Sequence, residues 1–216
     1  MAKTKFIPAL RFKWLTPLYD FLIGMTMPEM KIKRHLVEAA SINTGSAVLD
    51  FGCGTGTLTI MAKETSPGSK VTGIDIDVQI LNKAIDKARE KKMDILFLNY
   101  DGEKLPFQDS SFNRVISCLV FHHLDTDTKQ KALAEIFRVL NSGSQLCIAD
   151  FGRSKSWIQR TLFNLIRGLD GFKSTDANAK GLLPKLISEA GFKKEIIQKR
   201  FKTMFGEVQI ISAYKM

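Results

Sequence analysis

The 216-residue chain predicts an α/β fold, a parallel sheet with helices on both faces, and three observations lead there. A short apolar strand, Val48-Leu49-Asp50-Phe51, runs straight into glycines at 52, 54 and 56. A second strand, Lys70 to Ile74, ends in Asp75-Ile76-Asp77, and a third, Ile95 to Leu98, is followed by Asn99-Tyr100-Asp101-Gly102. Helical stretches separate the strands, and a strand, helix, strand, helix, strand order implies parallel pairing with helices packed on the sheet.

Each element has its own warrant. Glycine lets the backbone turn sharply and approach a ligand without a Cβ clash. The spacing here is G-x-G-x-G, one residue shorter than the dinucleotide fingerprint, which argues against a nicotinamide-dependent dehydrogenase. Thr57 to Glu64 reads as one or two helical turns after the loop. Asp75 stands at the tip of the second strand, about 20 residues past the glycines, where a carboxylate is placed to accept hydrogen bonds from ribose hydroxyls. Asp77 reads as the cap of the next helix, and Gln79 to Lys92 has helical periodicity, with Ile80, Ala84, Ile85 and Ala88 apolar. Toward the C-terminus, Leu182 to Ala190 reads as a short helix stopped by Gly191. Glu195 to Gln198 and Val208 to Tyr214 read as two further strands.

With those elements in place the chain resembles the class I S-adenosylmethionine-dependent methyltransferases of small molecules. It is most similar in flavour to the ubiquinone/menaquinone-biosynthesis C-methyltransferases. The resemblance rests on five motifs in order over roughly residues 45–150. They are the Asp50-to-Gly56 loop, Gly73-Ile74-Asp75, Asp101 to Phe107, Asp109 to Val115, and Glu135 to Gly143. One departure is Ser144, where the family usually carries a second glycine. The resemblance implies a Rossmann-like seven-stranded sheet, six strands parallel and the last antiparallel. It implies one domain over residues 1–216, with an N-terminal helical cap (1–40), a cofactor-binding core (45–150) and a substrate-side helix with closing strands (151–216).

It also implies roles for S-adenosyl-L-methionine binding. Gly52, Cys53, Gly54 and Gly56 would carry the loop beneath the methionine part, and Asp50 would orient its amino group. Asp75 would hold the ribose hydroxyls and Ile76 would lie on the adenine face. Asp101, beside Gly102, would accept from the adenine amino group. Ser117 and Leu119 would flank the methionine side. Tyr19-Asp20 is similar to a motif upstream of the quinone methyltransferase core, where the tyrosine nears the cofactor's carboxylate; the competing reading is a core aromatic.

His123 and His122, just after the fourth strand, are the catalytic candidates, because histidine is a general base near neutral pH; the competing reading is packing or substrate fixing. His35, on an amphipathic helix, reads as structural. Cys53, Cys118 and Cys147 are odd in number and lack C-x-x-C spacing, so they read as reduced, mostly buried thiols, and no zinc-ligand spacing is present.

Charge separates the core from its flanks. Residues 1–34 hold seven Lys/Arg against two acids, residues 35–150 twelve against fifteen, and residues 151–216 thirteen against five. The basic flanks are also apolar: Phe6 to Leu22 is crowded with large side chains, and Ile158, Leu162, Leu165, Ile166 and Leu169 share a helical face behind Ser156. A packed helix, a lid over a hydrophobic substrate and an interfacial patch on anionic lipid compete here. The expected partner is a small hydrophobic acceptor, with peripheral contact to an anionic membrane. Nucleic acid is the chief rival, since a sequence pI near 9.5 is a common footprint of phosphate binding. Against it, no RNA-binding module is appended, and no Asn/Asp-Pro-Pro-aromatic motif follows the fourth strand. A non-catalytic methyltransferase-like partner protein is the other alternative, opposed by the intact glycines and acids. No apolar leader or membrane span is legible, and the expected compartment is the cytoplasm. Nothing in the sequence encodes the acceptor atom or the oligomeric state.

Overall fold

A computed structural model describes residues 28–152, 181–203 and 206–216. Tyr19, the apolar N-terminal run and the helix expected after Ser156 lie outside the described residues. Chain order is α1 (Glu29–Ala40), β1 (Ala47–Phe51), α2 (Thr57–Thr65), β2 (Lys70–Asp75), α3 (Val78–Glu90), β3 (Leu96–Asn99), β4 (Phe112–Cys118), a 3₁₀ turn (Phe121–His123), α4 (Thr126–Val139), β5 (Leu140–Gly152), α5 (Leu183–Glu189), β6 (Lys193–Thr203) and β7 (Gly206–Tyr214).

The strands form one seven-stranded sheet in the order β3-β2-β1-β4-β5-β7-β6. β7 runs antiparallel to both neighbours, so β6 returns to the direction of β5, and six strands are parallel with the last reversed. This is the expected Rossmann-like arrangement. Two expected boundaries move. Asn141-Ser142-Gly143 is the opening of β5 rather than a turn before it, and β6 extends on both sides of Glu195–Gln198.

Alternate residues of the parallel strands face opposite sides of the sheet, and both sides are covered, as parallel sheets require. Leu49, Val115 and Ile148 pack with Leu133, Ile136 and Val139 of α4 and Leu186 and Ile187 of α5. Val48, Ile116 and Ile210 pack on the other side with Ile32, Leu36 and Val37 of α1 and Leu58 of α2. Strand order reverses between β1 and β4, because β2 and β3 lie to one side and β4 and β5 to the other. At such a switch point the connections part and leave a crevice beyond the carboxyl ends of the strands.

Candidate active site

That crevice is a cavity of about 460 Å³, framed by the tips of β1, β2 and β4 and closed on one side by α1. The loop after β1 forms its floor. Gly52 has φ +71°, and a Cβ there would lie 2.5 Å from a methyl of Val120, so both conformation and space demand glycine. Gly54 has φ +53°, and a Cβ there would meet nothing within 4 Å. Its backbone therefore faces open space in the cavity. Gly56 lies outside the lining, where a Cβ would meet Ala84 of α3 at 2.9 Å.

Asp75 ties this loop to β2. Its Oδ2 accepts from the Gly54 amide at 2.8 Å and its Oδ1 from the Asp77 amide at 3.0 Å. Each carboxylate oxygen can accept two bonds, so both retain capacity on the cavity side. Asp77 caps α3 as expected, taking the amides of Gln79 and Ile80. Ile76, 48% exposed, lies beside it on the cavity wall. Asp50 is buried at the cavity base, where the Thr59 hydroxyl donates to it at 2.6 Å. Burial pushes the Asp50 carboxyl up to about 7, with Thr59 and then Lys33 opposing the rise.

On the β4 side, Leu119 and Val120 line the cavity, and Leu119 holds φ +59°, an uncommon conformation for a side chain of its size. Asp150, buried at the C-terminal end of β5, organises the turn that follows. Its Oδ2 accepts from the amides of Phe121 at 2.8 Å and Val120 at 3.1 Å, with His122 at 3.4 Å, and its Oδ1 lies 3.0 Å from His122 Nδ1. Burial acts to raise the Asp150 carboxyl, but His122 and the amide donors outweigh it and hold the group below the usual carboxylate range. Lys129, in the first turn of α4, is buried nearby and donates to the Leu124 carbonyl; burial pulls its pKa down to about 8.

The two histidines separate. The His122 ring is taken up by Asp150 and by an edge-on contact with Phe151, and it does not line the cavity. His123 does line it, at the exposed rim, with its ring centroid 3.9 Å from that of His122. Desolvation first, then the neighbouring His122, holds His123 below the ordinary histidine range, so the ring is neutral at pH 7.

Asp50, Gly52, Cys53, Gly54, Asp75, Ile76, Leu119 and His123 thus converge on one cavity. Asp101, Gly102 and Ser117 do not. Asp101 Oδ1 accepts the amides of Glu103 and Lys104, closing a turn, and Gly102 stands beyond Ile76. Ser117 is fully buried and donates to the Phe51 carbonyl at 2.8 Å, joining β4 to β1 beneath the cavity. Glu29 and Lys33, an ion pair on α1 that lines the cavity, carried no signal in the sequence, because their spacing is that of any exposed helix pair. Thr59, Tyr100 and Asp150 were equally silent; only a strand-tip position marks Asp150.

Comparison with known proteins decides the family. Residues 48–143 match a family model described as a methyltransferase domain. The chain is 31% identical over 186 residues to the demethylmenaquinone methyltransferase of Deinococcus radiodurans, covering 82% of this chain and 75% of that one. The chain belongs to the S-adenosylmethionine-dependent methyltransferase family. The methyltransferase is also 32% identical over 142 residues to the demethylmenaquinone methyltransferase of Thermus thermophilus, which covers 65% of this chain and 64% of that one. The match therefore spans just under two thirds of that relative's length. A SAM-dependent methyltransferase of Aquifex aeolicus superposes with a TM-score of 0.66 at 16% identity, over 90% of this methyltransferase and 97% of the other, a likeness of fold.

Proposed function

We propose that the protein transfers a methyl group from S-adenosyl-L-methionine to a small hydrophobic acceptor of the quinone-precursor kind. The observation that carries this reading is the cavity floor: open backbone at Gly54, flanked by the half-satisfied Asp75 carboxylate and the buried Asp50. A nucleoside joined to an amino acid needs those groups in that order: an acceptor for ribose hydroxyls, an apolar face for adenine, and a carboxyl acceptor for an ammonium. Asp75 serves the ribose, Ile76 the adenine face and Asp50 the ammonium. When bound, the donor supplies a methyl group on positively charged sulfur.

The rest of the chemistry is positioning. Holding the acceptor in line with the methyl–sulfur bond converts a bimolecular encounter into an effectively unimolecular step. Phe51, Leu58, Ile80, Leu119, Val120 and Leu124 give the cavity an apolar lining that suits an unsaturated or prenylated ring and excludes water. His123 at the rim is placed to contact an acceptor hydroxyl. Its lowered pKa makes it a weak base, so positioning carries more of the reaction than proton removal. His122 acts through the turn that Asp150 fixes. Two relatives named as demethylmenaquinone methyltransferases support the acceptor class.

The first experiment is calorimetric titration of S-adenosylhomocysteine, expected to give micromolar binding. Transfer of a labelled methyl group from S-adenosylmethionine to a reduced prenylated naphthoquinone follows. Absence of S-adenosylhomocysteine binding in folded protein sinks the reading altogether, whereas binding without transfer to any quinol sinks only the acceptor class.

A further inference from the structure

The outer face of α1 and the edge strand β6 form one continuous surface beside the cavity. On α1, Ile32, Leu36, Val37 and Ala40 turn inward, leaving Met30, Lys31 and Arg34 exposed on the far side, with Met30 52% exposed. On β6, Ile196 pairs with Ser212 and Lys199 with Ile210, and paired residues share a face of the sheet. Ile210 packs in the cluster that α1 covers, so Ile196 and Lys199 stand on the α1 side of the sheet. Contacts fasten the two elements together. Lys199 Nζ lies 3.3 Å from His35 Nε2, His35 Nδ1 lies 2.7 Å from Glu38, and the His35 ring packs on Phe201.

Cations outnumber acids on this face. The two acids of α1 are engaged within the helix, Glu29 with Lys33 and Glu38 with His35. Lys31 and Arg34 form no ion pair with described residues. Ile196 is 49% exposed between bulges on either side of Ile196-Ile197, with Glu195 and Gln198 adjacent to the pair and Lys194 and Lys199 one position further out.

We propose that this α1–β6 face docks the protein on an anionic lipid bilayer, with Met30 and Ile196 entering the headgroup region while Lys31, Arg34 and Lys199 meet lipid phosphates. Scattered apolar side chains among cations match an anionic interface, where apolar burial and electrostatic attraction act together. A single-stranded RNA site needs exposed aromatic rings for stacking, and Phe201 is half-buried against His35. A second copy pairing along β6 is opposed by the lysines and bulges, which block edge-to-edge association. Among the described residues no helix is long and apolar enough to cross a membrane. The inference rests on the lipid-like acceptor proposed above, since docking beside the cavity would shorten the path of a membrane-borne substrate.

The test is co-sedimentation of the full chain with phosphatidylglycerol/phosphatidylcholine vesicles and with pure phosphatidylcholine vesicles. The variant carries Lys31→Glu, Arg34→Glu and Lys199→Glu, and a second one carries Met30→Ser and Ile196→Ser. Each basic residue near an anionic surface contributes roughly fivefold to partitioning, so the triple variant should lose on the order of a hundredfold, and wild-type binding should weaken with salt. Equal partitioning of wild type and both variants overturns the proposal, as does no preference for anionic vesicles. A wild-type oligomer that dissociates in the variants on ultracentrifugation also overturns it, by giving the face to a second copy. None of the substituted residues lines the cavity, so affinity for S-adenosylhomocysteine should stay within about twofold, and failure of the docking surface is distinguishable from failure of the cofactor reading.

Discussion

Two carboxylates at strand tips do the same mechanical work on opposite sides of the cavity and end with different hydrogen-bonding capacity to spare. Asp75 at the end of β2 holds the loop after its neighbour β1 through the Gly54 amide, and its own following turn through the Asp77 amide. Asp150 at the end of β5 holds the turn after its neighbour β4 through amides of residues 120–122. Asp75 is half-buried and lines the cavity, whereas Asp150 is 1% exposed and also engages His122. Residual hydrogen-bonding capacity therefore distinguishes a carboxylate available to a ligand from one committed to the scaffold.

The comparison breaks most readily at Asp150. Asp150→Ala strands the His122 ring and the turn amides, and each buried donor left without a partner costs roughly 1–3 kcal/mol. A lowered urea midpoint is expected; an unchanged one would mean that other contacts hold the turn. Next come the glycines of the Asp75 side. Gly52→Ala combines a left-handed backbone penalty of about 1–2 kcal/mol with overpacking against Val120, about 1–3 kcal/mol. Gly54→Ala carries the backbone penalty alone, since its Cβ meets nothing. Equal destabilisation of the two variants would show that Val120 yields freely.

Asp75→Ala sharpens the contrast from the other side. Loss of charge-assisted contacts should weaken S-adenosylhomocysteine binding by about tenfold or more, with a smaller fall in stability than at Asp150. Calorimetry and urea denaturation of both variants provide the crossed measurement; unchanged affinity would remove Asp75 from the ribose role. At Asp50 the expected effect is a slope rather than a step. Burial raises its pKa from 3.8 to about 7, so the folded state keeps its proton over a range in which the unfolded chain has lost it. That contribution to stability is complete below pH 4 and is lost as pH rises toward 7. Asp50→Asn should flatten stability across this window, and an identical pH profile in the variant would contradict it.

What could be read in advance follows distance along the chain. The glycines, Asp75 and the Asp77 cap act on backbone within a strand–turn–helix unit or on its immediate successor, so residue type and spacing sufficed. The seven-stranded order came with the family resemblance. Asp101 stayed ambiguous for the same local reason: a carboxylate beside glycine suits both an adenine contact and a turn, and its Oδ1 accepts the turn amides of Glu103 and Lys104. Ser117 likewise serves the sheet, through the Phe51 carbonyl.

The sequence by itself determined the α/β class, the parallel sheet and the loop that would receive a nucleotide-like ligand, because hydrophobic period, glycine conformation and helix caps are local properties. Only the tertiary structure decided that His123 rather than His122 faces the cavity, that Asp150 sets the turn between them, and that α1 brings Glu29 and Lys33 to the rim. Adjacent residues with the same side chain carry no sequence signal of direction. Their difference arises when β5 places a buried carboxylate beside one ring and leaves the other against open space.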